Sequence, residues 1–372
     1  MSATDRDALI ALAHSVEPGD ARMGRLVARE GPGQAVSRIR HSATGLPHGD
    51  GVRLRLSAAE PDRAEERAAA VGSRIVTRVD REWPSQLDAL GDQAPFALWV
   101  VGAANLRMIA LRSVAIVGAR ACTSYGEELA RSWAAELSGE QWCVISGGAF
   151  GIDAAAHRGV LAASGVTICV LAGGVDMPYP HAHDALIARI ADEGLVISES
   201  PPGEAVRRQR FLSRNRLIAA ASRATLVIEA AARSGTIATA RSATSMNRPV
   251  LAVPGPVTSP ASAGCHRMIR DGEAILVESA ADVIELLDLS RGRGSAEPLR
   301  ADARDRLSEG LRQVLDAMPT RRPVSADAVA VAAGLPTTVV WSALGVLEAQ
   351  GWVSQESTGW RLARLTRAAH AH

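Results

Sequence analysis

The chain has 372 residues, 47% of them hydrophobic and 22% charged, with a formal net charge of +1. That length implies two or three domains, the composition excludes extended disorder, and the charge balance means that any nucleic-acid reading must rest on local clusters. No lysine is present, so all 41 residues counted as Lys or Arg are arginine, which excludes a phosphate-loop lysine and a Schiff-base lysine.

Residues 1–13 alternate charged and apolar side chains without the apolar core of a signal peptide, and no run of about 18 apolar residues follows. A cytoplasmic protein with no membrane span is expected. Residues 1–72 read as short helices rich in Ala and Arg, with Leu9, Ile10, Leu12 and Ala13 opening an apolar face. Gly31, Pro32 and Gly33 separate two helical patterns. They form either a plain inter-helix turn or a helix-hairpin-helix whose amides hold a phosphate, so this domain reads as helix-hairpin-helix or SAM-like.

From about Gly72 apolar strands alternate with amphipathic helices. Strands are expected at 113–117, 142–145, 166–171, 195–197, 225–228 and 250–253, and helices at 125–137, 153–163, 184–191, 211–221 and 236–246. This alternation predicts an α/β, doubly wound, Rossmann-like domain over 73–290. The polar, glycine-rich stretch 291–306 reads as a linker. Residues 307–372 then give helices at 307–318, 325–333 and 337–350 and a hairpin at 353–362 turning on Ser357, Thr358 and Gly359, which is the pattern of a winged helix. The four cysteines, Cys122, Cys143, Cys169 and Cys265, form no CxxC pair and suggest neither zinc nor an oxidising compartment.

Three strand ends carry chemistry. The first runs into Gly118-Ala119-Arg120, with Ser124 placed to cap the next helix. The second runs into Ser146-Gly147-Gly148-Ala149-Phe150-Gly151-Ile152-Asp153, where glycines let a backbone approach phosphate and Asp153 reads as a helix cap. The third leads to Ser234-Gly235-Thr236. Free amides at such strand-loop-helix junctions attract anions, and Arg120 leaves the sheet at the edge where open α/β sheets bind ligands. Arg207, Arg208, Arg210, Arg214 and Arg216 add five cations within ten residues. Next to anion loops these suit a phosphodiester track. Phe211, inside the run, either stacks on a base or is a buried helix-start residue.

Other chemistries find less. The second loop is not GxGxxG and residues 166–173 hold no acid for a ribose, so no dinucleotide cofactor is expected. Ser146 and His157 lack a third triad member, and His157 reads as locally bonded. His181, His183 and Asp184 lack a distant fourth ligand, so no metal is expected.

In this order the motifs resemble the DNA-processing protein A family, also called Smf. The resemblance rests on residues 80–87 (DREWPSQL), 114–126 (VAIVGARACTSYG), 146–157 (SGGAFGIDAAAH), 170–180 (VLAGGVDMPYP), 198–203 (SESPPG), 211–219 (FLSRNRLIA), 229–240 and 253–255. It implies an extended Rossmann domain that binds single-stranded DNA without catalysis, forms homodimers, protects incoming or exposed strands and loads RecA for homologous recombination, as in natural transformation. By position Arg120 matches the family's pocket arginine. Arg214, Asn215 and Arg216 match its RNR motif, and Gly147, Gly148, Gly151, Ser234, Gly235 and Thr236 its glycine loops. Ser124, His181, Arg207, Arg208, Arg210 and Phe211 are secondary candidates. Phe150, His183 and His266 depart from the family's usual arginine, asparagine and asparagine.

Two other functions fit the same outline. A nucleotide phosphoribohydrolase of this fold needs a glutamate where Thr239 stands, and residues 236–247 hold no acid. A winged-helix regulator would read bases through 337–350, which carries no arginine.

Overall fold

A computed structural model describes residues 3–41, 49–58, 61–232, 234–289, 307–319, 322–356 and 359–363. The chain divides into two compact units, Met1–Arg293 and Gly294–His372.

The first unit opens with five helices, α1 (Ala3–Ser15), α2 (Ala21–Glu30), α3 (Pro32–His41), α4 (Gly49–Ala58) and α5 (Pro61–Ala70). A hairpin-like pair follows, β1 (Ser73–Thr77) and β2 (Ala97–Val101), then α6 (Leu106–Ala110). Strand and helix next alternate through β3 (Ser113–Val117), α7 (Ser124–Gly139), β4 (Cys143–Ser146), α8 (Ile152–Ala162), β5 (Thr167–Leu171), α9 (Asp184–Glu193), β6 (Leu195–Ser198), α10 (Arg208–Ala221), β7 (Thr225–Val227), α11 (Gly235–Ser245) and β8 (Val250–Ala252). The unit closes with α12 (Ala263–Arg270), β9 (Ile275–Leu276) and α13 (Ala280–Leu289).

The nine strands form one sheet in the order β1-β2-β6-β5-β4-β3-β7-β8-β9. It is parallel from β6 to β9, with β1 and β2 added antiparallel at one edge. The fold is therefore the α/β doubly wound class expected. β1, β2 and β9, and helices α6, α12 and α13, extend it beyond the elements read from sequence. Strand side chains alternate between faces: Val114 and Ile116 of β3 pack with Trp133 and Leu137 of α7, whereas Ala115 and Val117 pack with Leu217 and Ile218 of α10. Burial on both faces explains the continuous apolar runs. Leu9, Ile10, Leu12, Ile39 and Leu56 of the first helices share a core with Ile75, Trp99, Leu171 and Val196 of the sheet.

The second unit has α14 (Glu309–Asp316), α15 (Ala326–Ala333), α16 (Thr337–Ala349) and the hairpin β10 (Val353–Glu356) with β11 (Gly359–Leu362). Val314, Val329, Val340, Leu344, Leu347 and Trp360 make its core. Three helices and a two-stranded wing are a winged helix. Ser357 and Thr358 of the expected hairpin turn lie outside the described residues, as does the linker 291–306.

Candidate functional site

The sheet's strand order reverses at β3, which has β4 on one side and β7 on the other. Open α/β sheets hold ligands at the carboxyl ends of such strands. Here the loops after β3, β4 and β7, with α10, enclose a cavity of about 330 Å³ whose lining includes Arg120, Asp153, Arg214, Asn215, Ser234 and Thr236. A cleft of about 730 Å³ adjoins it, sharing Arg120 and Gly235 and adding Tyr179, His181, Arg208 and Phe211.

The first loop is built from β7. Glu229, just past that strand, accepts the Thr123 N–H at 2.9 Å and its hydroxyl at 2.6 Å. Thr123 also accepts the Gly126 N–H at 3.2 Å, so it is the cap of α7, and Ser124, expected in that role, is the first helical residue. Gly126 is required because a Cβ there would sit 2.5 Å from the Glu229 carboxylate. These contacts leave Arg120 exposed at the loop's tip.

The second loop works differently from expectation. The Gly147 N–H donates to Asp153 Oδ2 at 3.1 Å, and Asp153 stands inside α8, whose cap is Gly151. Gly147 lies under Arg214, where a Cβ would meet the guanidinium at 2.2 Å, and Gly151, at φ +75°, backs onto the carbonyls of Ala119 and Arg120. Gly148, at φ +67°, is buried over the Cys169 sulfur. These glycines shape the cavity rather than line it. The free amides come instead from the start of α11, where the Ser234 side chain makes no cap bond and its buried hydroxyl has no partner. Thr236 is anchored by its hydroxyl, which donates to the Gly118 carbonyl at 3.0 Å.

The arginine run splits in two. α10 begins at Arg208, so Arg214-Asn215-Arg216 lies in its second and third turns rather than at its start. Arg216 is buried and donates twice to Glu199, at 2.8 and 2.6 Å; Arg210 is buried against Glu17 and Glu204, at 3.2 and 3.0 Å. Arg207 reaches Glu17 at 3.4 Å. Arg210 and Arg216 are taken up by acids that the run itself lacks, while Arg207 stays exposed, so the five arginines do not line one track alike. Arg214 is buried but faces the cavity, held by the carbonyls of Gly147 (2.7 Å) and Val170 and by Asn215 Oδ1 at 3.2 Å. Burial pushes its guanidinium pKa down and the Asp153 carboxyl up, and each opposes the other's shift by attraction.

An aromatic wall flanks the cations. The Arg120 guanidinium lies 5.1 Å from the centre of the Phe211 ring, and Tyr179 meets that ring edge-on at 5.6 Å. Phe211 is half-buried and Tyr179 exposed, so Phe211 is not a fully buried helix-start residue. Tyr179 and the cavity position of Asp153 were missed in the sequence reading. Both belong to recognised motifs, but only folding brings them to this crevice. His181 lines the cleft 3.7 Å from Asp184. Phe150 meets the buried His183 edge-on at 4.7 Å, His183 bonds the Gly148 carbonyl at 2.9 Å, and His266 bonds the Gly255 carbonyl at 2.9 Å.

Ser146 and His157 do not act together. Ser146 donates to the Ile116 carbonyl at 2.6 Å, and His157 is buried on Thr167 at 2.8 Å. Among the described residues no group of three His, Cys, Asp or Glu side chains is placed to hold a metal, and no single helix is long and apolar enough to cross a membrane.

The profile of the family described as DNA recombination-mediator protein A matches residues 74–288. The chain belongs to this family. The DprA winged helix domain profile matches residues 297–359. The putative DNA processing protein DprA of Mycobacterium tuberculosis is 42% identical over 95% of this chain and 93% of its own length. Escherichia coli Smf is 36% identical over 77% and 76%. The crystal structure of Streptococcus pneumoniae DprA superposes with a TM-score of 0.65 at 28% identity, covering 76% of this chain and 98% of that one. A Helicobacter pylori DprA structure, titled for its single-stranded-DNA binding mode, gives 0.53 at 27% identity over 59% and 98%. The recombination-mediator profile thus spans the sheet from β1 to α13 and includes every residue that lines the crevice.

Proposed function

We propose that this protein is a cytoplasmic, homodimeric, non-catalytic mediator that binds single-stranded DNA in the crevice of its first unit, protects incoming or exposed strands and loads RecA onto them, as in natural transformation. The carrying observation is that Arg120, stacked on Phe211 with Tyr179 at its edge, stands beside the free start of α11 and the unpartnered Ser234 hydroxyl. Cations and helix-start amides take successive phosphates, while the rings offer faces to unpaired bases that a duplex keeps stacked. Membership of a recombination-mediator family supports the role, and the subject of the Helicobacter pylori structure supports the ligand. By this reading Arg120, Arg208, Arg214, Asn215, Ser234, Gly235, Thr236 and Phe211 meet the strand.

Asp153 lines the cavity, accepts the Gly147 N–H and is attracted to Arg214, contacts that support a bracing role for it on this reading. The winged helix exposes Val339, Trp341 and Val346 on α16. That is a poor face for a phosphate backbone.

Mobility shifts with a poly-T oligonucleotide and its duplex test the reading, with preference for the single strand expected. Arg120→Ala and Arg214→Ala should each weaken binding and lower the salt slope by about one per lost phosphate contact. Equal affinity for duplex would favour the winged helix as the reader, and unchanged slopes in both variants would remove the crevice. Failure to stimulate RecA assembly on protein-coated strands would overturn the loading role alone.

A further inference from the structure

We propose that α16 of the second unit pairs with α16 of a second copy, antiparallel and about a twofold axis, a contact that rests on the homodimer reading and supplies one of its surfaces. α16 packs Val340, Ala343, Leu344 and Leu347 into the core of its unit. On its other side Val339, Trp341 and Val346 are 46%, 51% and 41% exposed. From Thr337 to Leu347 the helix carries no charged residue, and Glu348, next in line, accepts the Gln355 N–H of the wing at 3.2 Å. A helix that is apolar on every side belongs in an interior, so this outer side calls for a cover. Without a cation it offers a phosphate backbone nothing.

The shape of that side is complementary to itself. Thr338, Ser342, Gly345 and Ala349 follow one another at helical spacing along its crest, with Trp341 on one flank and Val339 and Val346 on the other. A Cβ at Gly345 would meet nothing within 4 Å, so the crest has an open notch one turn from the exposed indole. Trp341 is set edge-on to the buried Trp360, with ring centres 6.1 Å apart. When two such helices run antiparallel about an axis at the level of residue 343, Trp341 of one faces the Gly345 notch of the other and Val339 faces Val346, each contact occurring twice. The pairs Trp341–Gly345 and Val339–Val346 share a midpoint to within one residue, so a single register serves both flanks. An unrelated partner would require no such internal match. A helix about 20 Å long and about 10 Å wide covers only part of the roughly 800 Å² per partner of a stable interface. The pairing therefore forms between copies already joined, whose second units are held at high effective concentration.

Cross-linking of the full-length protein with a short bis-maleimide tests the pairing, with the wild type, whose Cys122 is half-buried and whose other cysteines are buried, setting the background. Ser342→Cys, beside the axis, should give a covalent dimer, and the exposed Glu309→Cys on α14 should stay at background. Thr338→Cys and Ala349→Cys should each fail alone and link when the two chains are mixed, because the register brings opposite helix ends together. Gly345→Arg puts a charge into the notch without touching its own unit, so it should abolish the Ser342→Cys product while the melting curve stays that of the wild type. A Ser342→Cys product no greater than that of Glu309→Cys overturns the proposal, as does linkage of Thr338→Cys or Ala349→Cys to itself. A Ser342→Cys thiol that neither links nor reacts with a monofunctional maleimide means another cover, a strand or another part of the chain, and also overturns it. Sedimentation separates this from the homodimer reading: a wild-type dimer that does not link through Ser342→Cys removes the α16 pairing alone, whereas a chain that stays monomeric removes both.

Discussion

Arg120, Arg214 and Arg216 show how little membership of a motif says about where a guanidinium points. Arg120 is exposed on a loop tip, Arg214 is buried but faces the cavity, and Arg216 is buried against Glu199. Removing one partner of a buried ion pair leaves an uncompensated charge, at a cost of roughly 3–5 kcal/mol. Arg216→Ala should therefore lower the unfolding free energy by that order while leaving the salt slope of strand binding unchanged at temperatures where the variant is folded. Chemical denaturation and mobility shifts at several salt concentrations separate the two effects. A lowered slope in Arg216→Ala would return this residue to the strand. The cluster of arginines was legible in the sequence, but its division was not, because Glu17, Glu199 and Glu204 reach it only through tertiary packing.

Among the elements, the loop after β4 and the start of α11 divide the labour that both were expected to share. Gly147→Ala would drive a methyl into the Arg214 guanidinium, the far end of a side chain, whereas Gly151→Ala would meet backbone carbonyls at a positive φ. Overpacking costs typically about 1–3 kcal/mol. Gly147→Ala should stay within that range and bind poly-T about as poorly as Arg214→Ala, while Gly151→Ala should lose more stability. Thermal melts with mobility shifts distinguish them, and normal strand binding by Gly147→Ala would contradict the account. The central strands were readable because β3 to β8 are buried on both faces and appear as apolar runs. β1 and β2 escaped because they pair antiparallel outside the βα repeat, and β9 because two exposed residues carry no pattern. The helix caps were misplaced by one or two residues, since Thr123 and Ser124 are equally good caps by type and only Glu229 decides between them.

For the molecule as a whole, two histidines tie stability to acidity. Thr167 donates its proton to the Val144 carbonyl at 2.7 Å, so its oxygen accepts from His157 Nδ1, and the opposite nitrogen is buried without a partner. Burial, with Arg214 adding to it, lowers the His157 pKa from 6.5 to about 3, and burial with Arg67 lowers that of His14 to about 4. Depressed folded values mean that the unfolded chain binds protons first. Stability is full above pH 6.5 and falls as the pH drops toward the folded values. The slope is up to about 1.4 kcal/mol per pH unit for each histidine. Denaturant midpoints at pH 7 and pH 5 should show the loss, and His157→Gln should flatten it; an unaltered slope would mean that another group carries the effect.

Arg214 is clamped by backbone carbonyls before any ligand arrives. A free arginine gives up about 2 kcal/mol of rotamer entropy when it is immobilised, and a clamped one has already done so. On the proposed reading, capture of a strand is then expected to be limited by encounter rather than by rearrangement. Added salt should act on the rate of arrival, set by the exposed Arg120 and Arg208, far more than on the time a bound strand remains.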